Sequence, residues 1–245
     1  MRIFVPAAVV ALLCAAVVPI HAQTNFAFAV DRNANLYRVD LDNASATLVG
    51  ITGVFLEGLG LSPDGRLFGT DTGGNLYQLN TTSGAATLVG STNCSCDIEG
   101  LHFFGSMLVG VGLTTAPPAF LSINTQTGAS TTLVTANSST GPVRAMTAND
   151  PNHALLSTAN GAFQHALYSV DLVTGDATFI GVPQVGTTFL AAMDFNRAGT
   201  LYALDANGNE WTVDPCTAAV TLVGNTGSIF WLDMAASASH TKKSC

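Results

Sequence analysis

NLYQLNTTSGAATLVG, residues 75–90, decides the fold because the phrase returns four more times along the chain. The other copies are NLYRVDLDNASATLVG from 35, FLSINTQTGASTTLVT from 120, ALYSVDLVTGDATFIG from 166 and NEWTVDPCTAAVTLVG from 209, aligned without a gap. Copies about 40–46 residues apart mark a repeat architecture, in which each unit needs its neighbours to bury a core. Within the phrase, alternating apolar residues such as Leu76 and Leu79 predict a short strand, and the Thr-Leu-Val run predicts a second. An Asp or Asn opens the turn between them in every copy (Asp40, Asn80, Asn124, Asp171, Asp214), a side chain that bonds backbone groups two residues on. Gly84, Gly128 and Gly175 then suit a position that needs positive φ.

Two more strands precede the phrase in the complete units. EGLGL (57–61) and RLFGTD (66–71) flank the turn Ser62 to Gly65, and AAMDF (191–195) and TLYALD (200–205) flank Asn196 to Gly199. A four-stranded unit of this length is a propeller blade, whereas helical repeats would show a 3.6-residue period. The first unit opens directly on FAFAVD (26–31) without an innermost strand, and the missing piece recurs after the last unit as FWLDMAA (230–236). The sequence therefore predicts an all-β, five-bladed β-propeller of four-stranded blades, the ring closed by a C-terminal strand that completes blade one. Closure removes the exposed sheet edges. The expected organisation is a signal peptide at 1–22, one propeller domain at 23–238 and a C-terminal tail at 239–245.

The signal peptide is read from Arg2, the apolar run Ile3 to Pro19 and a cleavage site after Ala22. No later apolar stretch is long enough to span a bilayer, so a secreted or periplasmic location is expected. Acidic residues outnumber basic ones, 16 against 8, which speaks against nucleic acid as partner. Of the five cysteines, Cys14 falls in the leader and Cys94, Cys96, Cys216 and Cys245 remain. An even number in an exported chain points to disulfides. The blade topology favours a tight bridge of Cys94 with Cys96 and a bridge of Cys216 with Cys245 that pins the tail.

The LYxLN, TG and ATLVG elements resemble those of exported bacterial repeat propellers related to the WD-repeat and quinoprotein-like classes. That resemblance implies the fold over essentially the whole mature chain and little about function. The glycine-histidine and tryptophan-aspartate marks of true WD repeats are missing, so intracellular scaffold roles are not implied.

Candidate functional residues are sought where the repeat is broken on the top face, the side on which the innermost strands begin. Aligning those strands on Leu59, Leu101, Met146, Met193 and Met234 puts Glu57, Glu99 and Arg144 at one level, with Asp233 one position later and Asp194 deeper. This set reads either as an ion-pair plug or, through Glu57, Glu99, Asp194 and Asp233, as oxygen ligands for Ca2+ or a similar divalent ion. Asp31, Asp71 and Asp205, each four residues ahead of the phrase in three blades, read as turn-formers. Blades three and four lack this aspartate and carry longer top loops, at 113–118 and 160–165. With Arg144, the residues Phe163 and His165 would line a partly apolar pocket there. No histidine pair has metal spacing and no serine sits in a glycine-flanked nucleophile turn.

The sequence thus points to an exported, monomeric, non-enzymatic propeller without a cofactor, presenting its top face to a protein, glycan or small ligand. Its candidate contacts are Glu57, Glu99, Arg144, Phe163, His165 and Asp233. The alternative is a metal-assisted, lactonase-like hydrolase that uses the carboxylates at the mouth.

Overall fold

The computed structural model describes residues 25–94, 96–112, 117–159, 165–186 and 188–236. Its strands form five four-stranded antiparallel sheets. Blade two runs outward as β4 (Leu56–Leu61), β5 (Leu67–Asp71), β6 (Asn75–Leu79) and β7 (Ala86–Ser91). Blade three follows with β8 (Ile98–Phe104), β9 (Met107–Gly112), β10 (Ala119–Ile123) and β11 (Ser130–Thr135). Blade four has β12 (Val143–Asp150), β13 (His153–Ala159), β14 (His165–Asp171) and β15 (Ala177–Gly181). Blade five has β16 (Leu190–Phe195), β17 (Leu201–Asp205), β18 (Asn209–Val213) and β19 (Val220–Asn225). Blade one is assembled from both ends: β20 (Trp231–Ala236) lies inside β1 (Phe26–Asp31), β2 (Asn35–Asp40) and β3 (Ser45–Ile51). Pairing of Ala27 with Ala236 through Val30 with Asp233 closes the ring as expected.

The core is divided among the seams between blades, which is why the repeat cannot be stable as a single unit. One cluster joins Val30 and Leu36 of blade one to Leu56, Leu59 and Leu67 of blade two, and comparable clusters fill the other seams. The glycine that ends most copies of the phrase sets how closely blades approach. A Cβ on Gly50 would collide with the carbonyl oxygen of Ser83 in the next blade's turn, and one on Gly90 with that of Thr127. The backbone bonds Ala86 N to Thr52 O and Ser130 N to Thr92 O cross the same seams, both 3.1 Å.

Blade three corrects the gap-free alignment. Leu121 pairs with Thr132 and Phe120 with Val134, just as Tyr77 pairs with Leu88 and Leu76 with Gly90. The third copy therefore begins at Ala119, one residue earlier than the alignment placed it, with the same spacing from turn to outer strand as in blade two, and Val134 stands where other blades have glycine. Two turns also depart from the glycine rule: Ala44 and Ala218 hold φ of 56° and 59° where Gly84 has 82°.

Candidate functional site

Each innermost strand opens with a register shift at the same level. The residue skipped by the ladder is Glu57 in β4, Glu99 in β8, Arg144 in β12, Ala191 in β16 and Leu232 in β20. A bulge leaves its extra residue unpaired and re-aims it. Repeated five times, it builds a collar around the axial mouth of the top face. One side of the collar is charged and the other apolar.

On the charged side, carboxylate oxygens of Glu57, Asp97 and Glu99 lie within 4.8 Å of one another. Arg144 approaches Glu99 at 3.5 Å. Desolvation pushes the Glu57 carboxyl up to about 8, helped by a hydrogen bond with Asp97 and by the negative charges of Glu99 and Asp97. Glu99 rises to about 7, again first through burial, with Arg144 opposing the rise. Burial disfavours the charged form, and crowding by like charges adds to it. Three buried polar atoms, Glu57 Oε2, Asp97 Oδ1 and Arg144 Nε, have no hydrogen-bond partner among the described residues. Such groups are costly unless something outside the chain meets them.

On the apolar side, Phe189 and Phe230 stand two residues ahead of Ala191 and Leu232, with ring centroids 6.3 Å apart. The half-exposed Phe55 holds the corresponding place ahead of Glu57. Guanidinium groups cover two of these rings, Arg144 over Phe189 at 5.6 Å and Arg32 over Phe230 at 5.3 Å. Asp97 stands at the equivalent position ahead of Glu99, so the collar is acidic where blades two and three meet. It follows directly on the Cys94–Cys96 disulfide, whose Cα atoms are 5.1 Å apart.

Glu57, Glu99 and Arg144 are therefore brought together, and Asp97, Phe189 and Phe230 join them although sequence reasoning missed all three. Asp233 and Asp194 are not in the cluster. Asp233 is fully buried, its Oδ2 accepting the Leu59 amide at 2.7 Å and its Oδ1 the Met234 amide at 2.8 Å. The Leu101 amide also reaches it, yet burial outweighs these donors and holds the carboxyl well above the usual range. Asp194 accepts from Thr147 Oγ1 at 2.6 Å, the Phe195 amide at 2.8 Å and the Ala236 amide at 2.8 Å. His102 Nδ1 is 3.3 Å from it. Each carboxylate thus spans from one inner strand to others and laces the waist of the ring together.

His165 is 4 % exposed, and neither ring nitrogen has a hydrogen-bond partner among the described residues. Desolvation by burial lowers its pKa and so favours the neutral imidazole. Its ring lies 6.1 Å from that of Phe189, the ring that Arg144 also covers. Phe163 lies outside the described residues. Cys216 is disulfide-bonded, and its expected partner Cys245 also lies outside them. His153, on the opposite face, contacts Asp150 at 2.9 Å.

The recurrent aspartates are turn anchors. Asp71 Oδ1 accepts the Asn75 amide at 2.8 Å, and its Oδ2 takes the Asn75 side chain and the Tyr77 hydroxyl, both at 3.0 Å. Asp31 holds Asn35 and Tyr37 in the same way, and Asp205 holds Asn209 and Trp211.

Fold and collar define the class as a closed, five-bladed repeat β-propeller of the type that includes WD40 domains. No protein-family model matches the chain, and comparison with curated proteins finds no match. Solved structures do share the fold. A chain from a nidogen/laminin complex superposes with TM-score 0.57 at 14 % identity, over 89 % of this chain and 82 % of that one. A protein of unknown function from Bacteroides thetaiotaomicron gives 0.59 at 16 % identity, over 89 % and 66 %. The WD40 β-propeller domain of Doa1 gives 0.51 at 10 % identity, over 85 % and 81 %.

Proposed function

We propose that the protein is an exported, non-enzymatic binding propeller whose axial mouth receives a cationic side chain from a partner protein. The carrying observation is the collar itself, whose charged side holds carboxylate oxygens with unmet hydrogen-bonding capacity among the described residues and whose other side carries Phe189 and Phe230. A lysine or arginine entering there gains charge pairing with the carboxylates, and its methylenes meet the apolar side, whose rings Arg144 and Arg32 already cover. Support for a protein partner comes from the neighbouring fold seen in a complex of nidogen with laminin. Support for export comes from the leader-like residues 1–22.

Protons compete with the incoming cation for Glu57 and Glu99. Affinity for a basic peptide should therefore rise between pH 6 and 9 as carboxyls held at about 8 and 7 ionise. The test is an array of hexapeptides with lysine or arginine at each position, followed by calorimetry of retained peptides on wild type and a Glu57→Gln/Glu99→Gln variant. Retention that falls at least tenfold in the variant supports the reading. Failure to retain any basic peptide, or equal affinity in both proteins, overturns it.

The same three carboxylates support a second reading, a hard divalent cation such as Ca2+, which prefers oxygen ligands. The donors would be Glu57, Asp97 and Glu99, because Asp194 and Asp233 are engaged by backbone amides. Calorimetric titration with Ca2+ at pH 8 decides it, and absence of binding heat removes both the ion and any hydrolysis that depends on it.

A further inference from the structure

A cleft of about 700 Å³ opens on the top face of blade four, lined by Thr140, Thr158, His165, Tyr168, Phe179 and Gln184 among others. Its origin is a break in the turn anchor. By strand pairing, Thr158 opposite Ala166 occupies the place of the anchoring aspartate and its asparagine, and Tyr168 the place of Tyr37 and Tyr77. In blades one, two and five the aspartate receives the asparagine amide and the aromatic donor. In blade four those partners are a threonine and an alanine, and the space they leave faces Tyr168 and His165.

Three observations define what would fit. No Asp, Glu, Lys or Arg lines the cleft among the described residues, so its polarity is that of hydroxyl, amide and imidazole groups. His165 is almost wholly buried, lines the cleft and has both ring nitrogens without a partner among the described residues, offering one donor and one acceptor. Phe179 is 55 % exposed and packs edge-on against Tyr168 at 5.6 Å. Leu48, Leu88, Thr132 and Leu222 occupy its place in the other blades, so the exposed aromatic is particular to blade four.

We propose that this cleft is a binding site for a neutral saccharide, with a sugar ring stacked on Phe179 and its hydroxyls paired with His165, Thr158 and Gln184. Small, dense networks of neutral donors and acceptors beside an aromatic platform match the alternating hydroxyl and C–H faces of a pyranose. An anionic sugar would enter without a cation to meet it. The lining of the cleft includes none of the mouth residues Glu57, Asp97, Glu99 and Arg144.

The test uses the full mature chain in calorimetric titrations with neutral hexasaccharides (cellohexaose, xylohexaose, mannohexaose, chitohexaose) and hexagalacturonate as the charged control. At least one neutral hexasaccharide should bind and shift the His165 imidazole resonances. That affinity should fall at least tenfold in Phe179→Ala, a surface change that leaves folding intact, and in His165→Ala. Glu57→Gln/Glu99→Gln should bind the same sugar as wild type does, so failure of the mouth reading leaves this one standing. Binding by none of the neutral sugars, binding of the charged control alone, or full affinity in Phe179→Ala overturns the proposal.

Discussion

The waist and the mouth of the ring carry the same chemistry in opposite states. At the waist, Asp194 and Asp233 are buried at 2 % and 0 % exposure, and in each one oxygen accepts a backbone amide from another inner strand while the other accepts the amide of the next residue along its own. At the mouth, where β4 and β8 begin, Glu57 and Asp97 keep oxygens that nothing in the described chain satisfies. A carboxylate on a propeller axis is therefore no functional signal by itself. Its remaining hydrogen-bonding capacity separates a structural lace from a surface waiting for a ligand.

Breaking the lace should have the largest effect. Asp233→Ala leaves the amides of Leu59 and Met234 buried without an acceptor, and a loss of about 3 kcal/mol or more is expected in denaturant unfolding. Glu210 sharpens the comparison because it combines the two states. It is fully buried like the waist, yet both carboxyl oxygens lack partners among the described residues, like the mouth, and it stands in β18 where β2 and β6 have Leu36 and Leu76. Burial, then the charges of Asp40 and Asp42 across the closing seam, push it up to about 8; Tyr202 faces it from β17. Glu210→Leu should stabilise the protein by about 1–4 kcal/mol, read from the same unfolding curves.

The pH dependence follows in sign. Glu57, Glu99 and Glu210 hold protons more tightly folded than unfolded, so their contribution to stability is fully present below the ordinary carboxyl value. It then falls as pH rises from about 4.5 toward 8. Glu210→Gln should flatten that decline, as seen in melting temperatures taken across the range. The smallest effect is expected at the two strained turns. Ala44→Gly relieves a positive φ of 56° but removes a buried methyl, and the net change should stay within about 1 kcal/mol.

Most of the fold was legible because it rests on local chemistry repeated five times: the Asx turn, the strand alternation and the missing inner strand that returns as residues 230–236. The one-residue slip in blade three came from matching its Thr-Leu-Val run to that of the other copies, whereas Asn124 and Gly128 at the shared turn positions already require a start at Ala119, as the pairing shows. Of the mouth, Glu57, Glu99 and Arg144 were visible as departures at a common level. Asp97 was not, because a bulge breaks the alternation that says which residues face together. Phe189 and Phe230 read as ordinary strand hydrophobics. Asp194 and Asp233 looked like ligands because sequence reveals carboxylates and conceals the amides that occupy them.

Making the same isosteric change at both places is the most direct test. Thermal unfolding would be compared for Asp233→Asn, which turns an acceptor into a donor against a buried amide, and for Glu57→Gln/Asp97→Asn/Glu99→Gln. The waist variant should melt about 6–12 °C below wild type, and the mouth variant at or above it. If the mouth variant melts as far below wild type as Asp233→Asn does, the collar is an ion-pair plug that holds the ring together. The distinction between lace and ligand surface would then be wrong.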